Sequence, residues 1–123
     1  MFNLNLKDKV VLITGGSDGL GFASARLLSE QGAKVALCGR RGDYLKEKAN
    51  IIREETKNDV VDIQCDVTDA DQCKNLVEKT ISHFKSIDVL VNNAGTSAAS
   101  GFENLTDQNW EDDINLKLMA AVR

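Results

Sequence analysis

Proline is absent from this 123-residue sequence, and histidine, tyrosine and tryptophan each occur once. Because proline interrupts both helices and sheets, its absence favours a chain built mostly of continuous elements. The one histidine, His83, lies late on a predicted helix and has no partner pattern, so we expect a surface or half-buried helix residue. No apolar run approaches the roughly 20 residues that a bilayer requires, which excludes a helical membrane span.

Positive charge is also in short supply, with 15 Lys and Arg against 19 Asp and Glu and a net charge of −4. A nucleic-acid partner therefore has no electrostatic support. The odd number of cysteines, Cys38, Cys65 and Cys73, lacks the spacing of metal ligands. We predict reduced thiols in a cytoplasmic protein without a metal site. The length allows a single domain, residues 1–123, and is too short for two.

Short apolar runs alternate with amphipathic helical patterns along the whole chain. Strands are predicted at 9–14, 34–38, 59–65 and 87–91. Helices are predicted at 20–31, at 43–57 with Asp43 as its cap, from a Thr68 capping box to Phe84, and from a Thr106 cap onward. Alternating strands and helices indicate βαβ units and a parallel sheet. Right-handed crossovers predict the strand order 3-2-1-4, an α/β, Rossmann-type doubly wound sheet with helices on both faces.

The first strand ends in a glycine-rich turn, Thr14-Gly15-x-x-x-Gly19-x-Gly21, and a helix follows at once. Gly15 permits the sharp reversal, Gly19 leaves room for a diphosphate, and Gly21 lets the helix pack closely on the sheet. The free N–H groups and positive dipole end of that helix attract an anion. We therefore predict a dinucleotide site that also includes Ser17, Asp18 and Leu20. A glycine-rich turn without a ligand is the alternative that the motif alone leaves open.

This glycine spacing resembles that of the short-chain dehydrogenase/reductase family, and two further motifs support the resemblance. Asp66-Val67, at the end of the third strand, resembles the family's Asp-Val pair, which implies a carboxylate for the adenine amino group. Asn92–Gly95 matches the family's NNAG motif on the fourth strand, which implies that Asn93, Ala94 and Gly95 lie against the cofactor's ribose. The resemblance spans the whole chain.

The resemblance implies hydride transfer between a nicotinamide cofactor and a small alcohol or carbonyl, in an enzyme that forms a homo-oligomer, a dimer or a tetramer. Gly39 stands where NAD-preferring relatives carry Asp, and Arg40 and Arg41 follow it. Arginines at this point hold a 2′-phosphate, so NADP(H) is the preferred reading and NAD(H) the second. Asp18 occupies a place where some NADP-dependent relatives are basic, which opposes that reading. The two arginines could also be no more than a solvated loop surface.

The family's catalytic group is Asn-Ser-Tyr-Lys, and the resemblance assigns its asparagine to Asn115. Tyr44 and Lys48 satisfy the bare Tyr-x-x-x-Lys spacing, but they follow the second strand, near the expected adenosine end, so we reject them. With Ser and Tyr-x-x-x-Lys missing, we expect an incomplete domain, the first half of such an enzyme and inactive alone. The fourth strand should then be an open edge, and a stripe including Trp110 and Leu118 should lack cover. A complete, non-catalytic dinucleotide-binding module is the alternative.

Overall fold

The computed structural model describes residues 3–123, so the first two residues of the predicted domain lie outside the described range. The strands are β1 (Val10–Thr14), β2 (Lys34–Gly39), β3 (Val60–Gln64) and β4 (Val89–Val91). The helices are α1 (Gly19–Glu30), α2 (Gly42–Thr56), α3 (Ala70–Phe84), α4 (Asp107–Ile114) and α5 (Ala120–Val122). A 3₁₀ turn (Phe102–Asn104) precedes α4, and a π-helical turn (Asn115–Met119) joins α4 to α5.

The strands of residues 3–123 form one parallel sheet in the order β3-β2-β1-β4, which confirms the predicted topology. In register, Val11 of β1 lies opposite Val35 of β2 and Val89 of β4. The chain leaves β1 toward one side for β2 and β3, and returns to its other side for β4. A crevice opens at such a reversal, beyond the carboxyl ends of the strands.

The two faces of the sheet bury separate apolar clusters, because successive side chains of a strand point to opposite faces. Val11 and Ile13 pack with the buried residues of α1 and α2. Val10 and Leu12 pack on the other face with α3 and with the partly buried Leu116. Within the described range, no helix combines the length and the apolarity needed to cross a membrane.

The β4 side of the molecule is exposed, as the sequence predicted. Leu90 of β4 is 50% exposed, and Trp110 and Leu118 are 49% and 57% exposed. The predicted single α-helix carrying that stripe is wrong in one respect, since the π-helical turn interrupts it at Asn115. The wider turn breaks the 3.6-residue spacing on which the prediction depended.

Two local predictions are also wrong. The helix α2 begins at Gly42 without a side-chain cap, so Asp43 lies inside its first turn. Asp69, rather than Thr68, caps α3, because its carboxylate accepts the N–H groups of Asp71 and Gln72.

His83 has a partner that the sequence pattern did not show. Its Nε2 lies 3.2 Å from Oδ1 of Asp59, which precedes β3 in the chain. The pair joins α3 to the residue before β3. Its two members are 24 residues apart in sequence, so the periodicity of one helix could not predict the contact. Of the two positions that the sequence left open for His83, surface or half-buried, the structure shows the surface one, since His83 is exposed.

Candidate functional site

A groove of about 500 Å³ lies at the carboxyl ends of the strands. Its walls come from the β1–α1 turn and from the segments that follow β2, β3 and β4. Predicted site residues that line it are Gly15, Ser17, Asp18, Gly19, Leu20, Arg40, Arg41, Asp66, Val67, Asn93, Ala94 and Gly95. Gly21 and Asn115 are the predicted residues that do not line it. The structure therefore brings together, in one concave surface, motifs that are far apart in the sequence.

The glycine turn has the geometry that its sequence predicted. Gly15 has φ +65°, and a Cβ on it would lie 2.9 Å from Cα of Ala94. A Cβ on Gly21 would overlap the carbonyl oxygen of Gly15, so only glycine lets α1 start this close to the sheet. A Cβ on Gly19 would meet no heavy atom of the described residues within 4 Å, because that residue faces the open groove.

The start of α1 leaves its backbone donors available. Asp18 is the N-cap residue, but its carboxylate bonds to Arg41 and Tyr44 rather than to the N–H groups of the first turn. An anion in the groove could accept those N–H groups and gain from the positive end of the helix dipole.

Thr14 ties the glycine turn to the NNAG segment, a role that sequence analysis missed. Its Oγ1 accepts the N–H groups of Asn93 (3.1 Å) and Ala94 (3.0 Å) and donates to the carbonyl of Val91 at 3.4 Å. The side chain is 7% exposed. A threonine at a strand end gives no local signal of partners about 80 residues away, so the role appears only in the folded chain.

Asn93 completes the same junction. Its Nδ2 donates to the carbonyls of Thr14 at 3.1 Å and Gly15 at 3.0 Å. The Asn93 amide therefore ties the end of β1 to the end of β4. These bonds set the spacing between the two walls of the groove that follow β1 and β4.

At the rim of the groove, Asp18, Arg41 and Tyr44 contact one another. Nη2 of Arg41 lies 2.8 Å from Oδ2 of Asp18, and the Tyr44 hydroxyl donates to Oδ1 at 2.5 Å. The Arg41 guanidinium also lies over the Tyr44 ring, 4.2 Å from its centroid. The Tyr44 hydroxyl, followed by the Arg41 guanidinium, holds the pKa of Asp18 below its ordinary value. The carboxylate is therefore ionised near neutral pH.

Asp66 presents a fixed carboxylate in the groove. Its Oδ1 accepts the Thr68 hydroxyl at 2.7 Å and the Thr68 N–H at 3.0 Å. These bonds, with a smaller contribution from the charge of Arg40, lower the pKa of Asp66. One carboxylate oxygen is engaged by Thr68, and the other can accept a hydrogen bond from a ligand.

Asn115 starts the π-helical turn and lies beside the groove rather than in its wall. Its Nδ2 donates to the carbonyl of Thr68 at 3.3 Å, and its Oδ1 accepts a hydrogen bond from Arg123 at 2.7 Å. The next residue, Leu116, lines the groove and was not predicted, since an apolar residue on a helix carries no sign of a ligand.

A second cavity of about 430 Å³ shares Thr96 and Leu116 with the first. Its remaining walls come from the loop after β4 and from α4. The second cavity is therefore a neighbour of the groove and lies toward α4.

The three cysteine thiols are buried, and the Lys48 ammonium lies over the Tyr44 ring. All three cysteines fall in the described part of the chain and are free, and Cys38 and Cys65 form part of the groove floor. A hydrogen bond shared with Cys38, together with burial, raises the pKa of the Cys65 thiol. The Lys48 ammonium lies over the Phe22 and Tyr44 rings, at the arginine end of the groove.

Comparison with known proteins places this geometry in a family. The chain is 46% identical over 107 residues to 11-beta-hydroxysteroid dehydrogenase 1A of Arabidopsis thaliana, covering 87% of this chain and 31% of that protein. It superposes with a TM-score of 0.95 on L-sorbose reductase from Gluconobacter frateurii in complex with NADPH and L-sorbose, at 34% identity, covering 98% of this chain and 46% of that one.

An NADH-dependent reductase responsible for alginate metabolism is also similar, at 32% identity and a TM-score of 0.88, covering 98% of this chain and 49% of that one. The chain thus spans less than half the length of these relatives. The family model for short chain dehydrogenases matches residues 9–123, nearly the whole sequence. Together with the sheet order and the glycine turn, this match shows that the chain belongs to the short-chain dehydrogenase/reductase family of oxidoreductases.

Proposed function

We propose that the protein is an NADP(H)-preferring oxidoreductase that interconverts an alcohol and a carbonyl, with NAD(H) as the less favoured cofactor. The observation that carries the proposal is the single groove lined by the glycine turn, two arginines, Asp66 and the segment after β4. Its volume of about 500 Å³ falls in the range of cofactor sites. The bound nicotinamide would supply or accept the hydride.

The residues fit such a cofactor in three respects. The open face at Gly19 and the uncapped start of α1 suit a diphosphate. The carboxylate of Asp66 suits the amino group of an adenine, and Arg40 and Arg41 suit a 2′-phosphate. Similar structures include both an NADPH complex and an NADH-dependent enzyme, so the proposed preference for NADP(H) over NAD(H) depends on the two arginines.

Asn115 is proposed as the member of the catalytic group that lies in this chain. Its support is the position at the start of the π-helical turn, because such turns often occur at functional sites. The proposed substrate is a small molecule, without a nucleic-acid or membrane partner. The proposed setting is a cytoplasmic homo-oligomer, supported by the free thiols and by the exposed stripe at Trp110 and Leu118.

The second candidate is a dinucleotide-binding module without turnover. It is favoured by the location of the sequence's one tyrosine, since the Tyr44 hydroxyl is already bound to Asp18. A phenol engaged by a carboxylate at the arginine end is not placed to pass a proton to a substrate.

Two measurements separate these candidates. NADPH fluorescence titration, compared with NADH, tests the cofactor site, and NADPH oxidation with a panel of aldehydes and ketones tests turnover. Gly21→Ala should abolish binding, because its Cβ overlaps the Gly15 carbonyl. Gly101→Ala is the control, since Gly101 has φ −59° and the atoms nearest to its Cβ would belong to the flexible side chains of Asn104 and Glu103. Binding without turnover supports the module, and absence of both refutes the proposal.

A further inference from the structure

At the rim of the groove, the Asp18 carboxylate forms an ion pair with Arg41, one of the two arginines there, and Tyr44 contacts both residues. Oδ2 of Asp18 accepts a hydrogen bond from Nη2 of Arg41 at 2.8 Å, and Oδ1 accepts one from the Tyr44 hydroxyl at 2.5 Å. Arg40 takes part in none of the ion pairs found among residues 3–123. The two arginines, which look equivalent in the sequence, therefore differ in the charge that each offers to a ligand.

We propose that Asp18 is a specificity-determining residue that competes with the cofactor's 2′-phosphate for Arg41. This inference rests on the proposed NADP(H) preference, and Asp18 is the residue that would determine how large that preference is. When the phosphate arrives, Arg41 exchanges part of its contact with Asp18 for contact with the phosphate. A cofactor without the 2′-phosphate binds without weakening the contact between Asp18 and Arg41. The Asp18–Arg41 pair therefore lowers the preference for NADP(H) over NAD(H).

The competition is a matter of charge more than of donor number. A guanidinium has five N–H donors, so it could contact a carboxylate and a phosphate together. The carboxylate and the dianionic phosphate would then repel each other across one cation, which reduces the net attraction. The pair is nevertheless displaceable, because its side chains are 65% and 58% exposed and water screens such pairs.

Tyr44 stabilises the arrangement from both sides. Its hydroxyl binds Asp18, and its ring lies under the Arg41 guanidinium. Tyr44→Phe keeps the ring beneath Arg41 and removes the bond to the carboxylate alone. The variant therefore separates the anchoring of Asp18 from the stacking of Arg41.

The test is the ratio of dissociation constants for adenosine 5′-monophosphate and adenosine 2′,5′-bisphosphate, measured by calorimetry at low salt. These probes differ only in the 2′-phosphate and do not need a nicotinamide subsite. Asp18→Asn should raise the ratio about fivefold, the upper limit expected for an exposed ion pair. Tyr44→Phe should raise it less, and added salt should reduce both effects. Asp18→Asn leaves the start of α1 intact, because the Asp18 side chain makes no cap bond.

The matched control is Asp43→Asn, which removes the same charge two residues from Arg41, at an exposed site in the first turn of α2. Its ratio should change by less than about twofold, as expected for a screened charge without direct contact. In Arg41→Ala, adding Asp18→Asn should change the ratio less than it does in the wild type, because the competition for Arg41 is gone and the direct repulsion between carboxylate and phosphate is what remains. An unchanged or lowered ratio in Asp18→Asn would overturn the inference, and a lowered one would mean that Asp18 holds Arg41 in place for the phosphate. A wild-type ratio of one would instead refute the NADP(H) preference itself.

Discussion

Replacing Thr14 with valine tests whether one buried hydroxyl holds the groove together. Valine has nearly the same shape, so the substitution removes the hydroxyl and little else. The Ala94 N–H then loses the partner it has at 3.0 Å. The Asn93 N–H keeps a second acceptor, the carbonyl of Val91 at 3.1 Å, and therefore loses less.

The expected loss of stability follows from this difference. A stranded, partly buried donor costs about 1–3 kcal/mol, and weakening the second bond adds about 0.5 kcal/mol. We expect a total near 2 kcal/mol. With a urea dependence of about 2 kcal/mol per molar, the unfolding midpoint should fall by about 1 M.

Thr80→Val is the matched control, because Thr80 is fully buried and the substitution also removes one threonine hydroxyl. Its Oγ1 donates to the Leu76 carbonyl, so its removal strands no N–H group. That variant should lose no more than the net contribution of one ordinary hydrogen bond, about 1 kcal/mol. Equal urea midpoints for the two variants would refute the assignment of Thr14 as the tie between the two walls.

Two further predictions concern ionisable groups. Thr68→Val should raise the pKa of Asp66 toward its ordinary value in a carboxyl NMR titration, while Thr68→Ser should not, because the Thr68 hydroxyl bonds to that carboxylate. Since the folded pKa is depressed, the advantage of wild type over Thr68→Val should exist above the unfolded pKa of about 4 and vanish as the pH falls through the folded value; equal pKa values would contradict the assignment. Cys65 and Cys73, 2% and 8% exposed with raised pKa values, should react slowly with a disulfide reagent when folded and quickly in urea. Fast labelling of the folded protein would contradict their burial.

The amino-acid sequence by itself determined the strands, the helices and their order in the sheet. Each signal was local, because the short apolar runs, the helical periodicity and the glycine turn after β1 each involve residues close together in the sequence. The groove also followed, since parallel strands bring their carboxyl ends to one edge. The reasons given for two glycines are confirmed, since Gly15 has a positive φ of +65° and a Cβ on Gly21 would overlap the carbonyl oxygen of Gly15.

The helix caps and the π-helical turn were beyond such signals. Asp69 and Thr68 are both good cap residues, and only their final geometry decides which one faces the N–H groups of α3. The break at Asn115 accompanies side-chain contacts with Thr68 and Arg123, of which Thr68 lies in a distant part of the chain.

Only the tertiary structure decided how the groove is charged and held. Thr14 bonds to a residue 80 positions away, and Asp18 pairs with Arg41 across 23 positions. Hydrogen bonds and ion pairs depend on distances of about 3 Å between atoms, which packing sets and sequence spacing does not. The sequence therefore predicted most of the residues that line the groove, and the fold determined that Asp18 pairs with one of its two arginines.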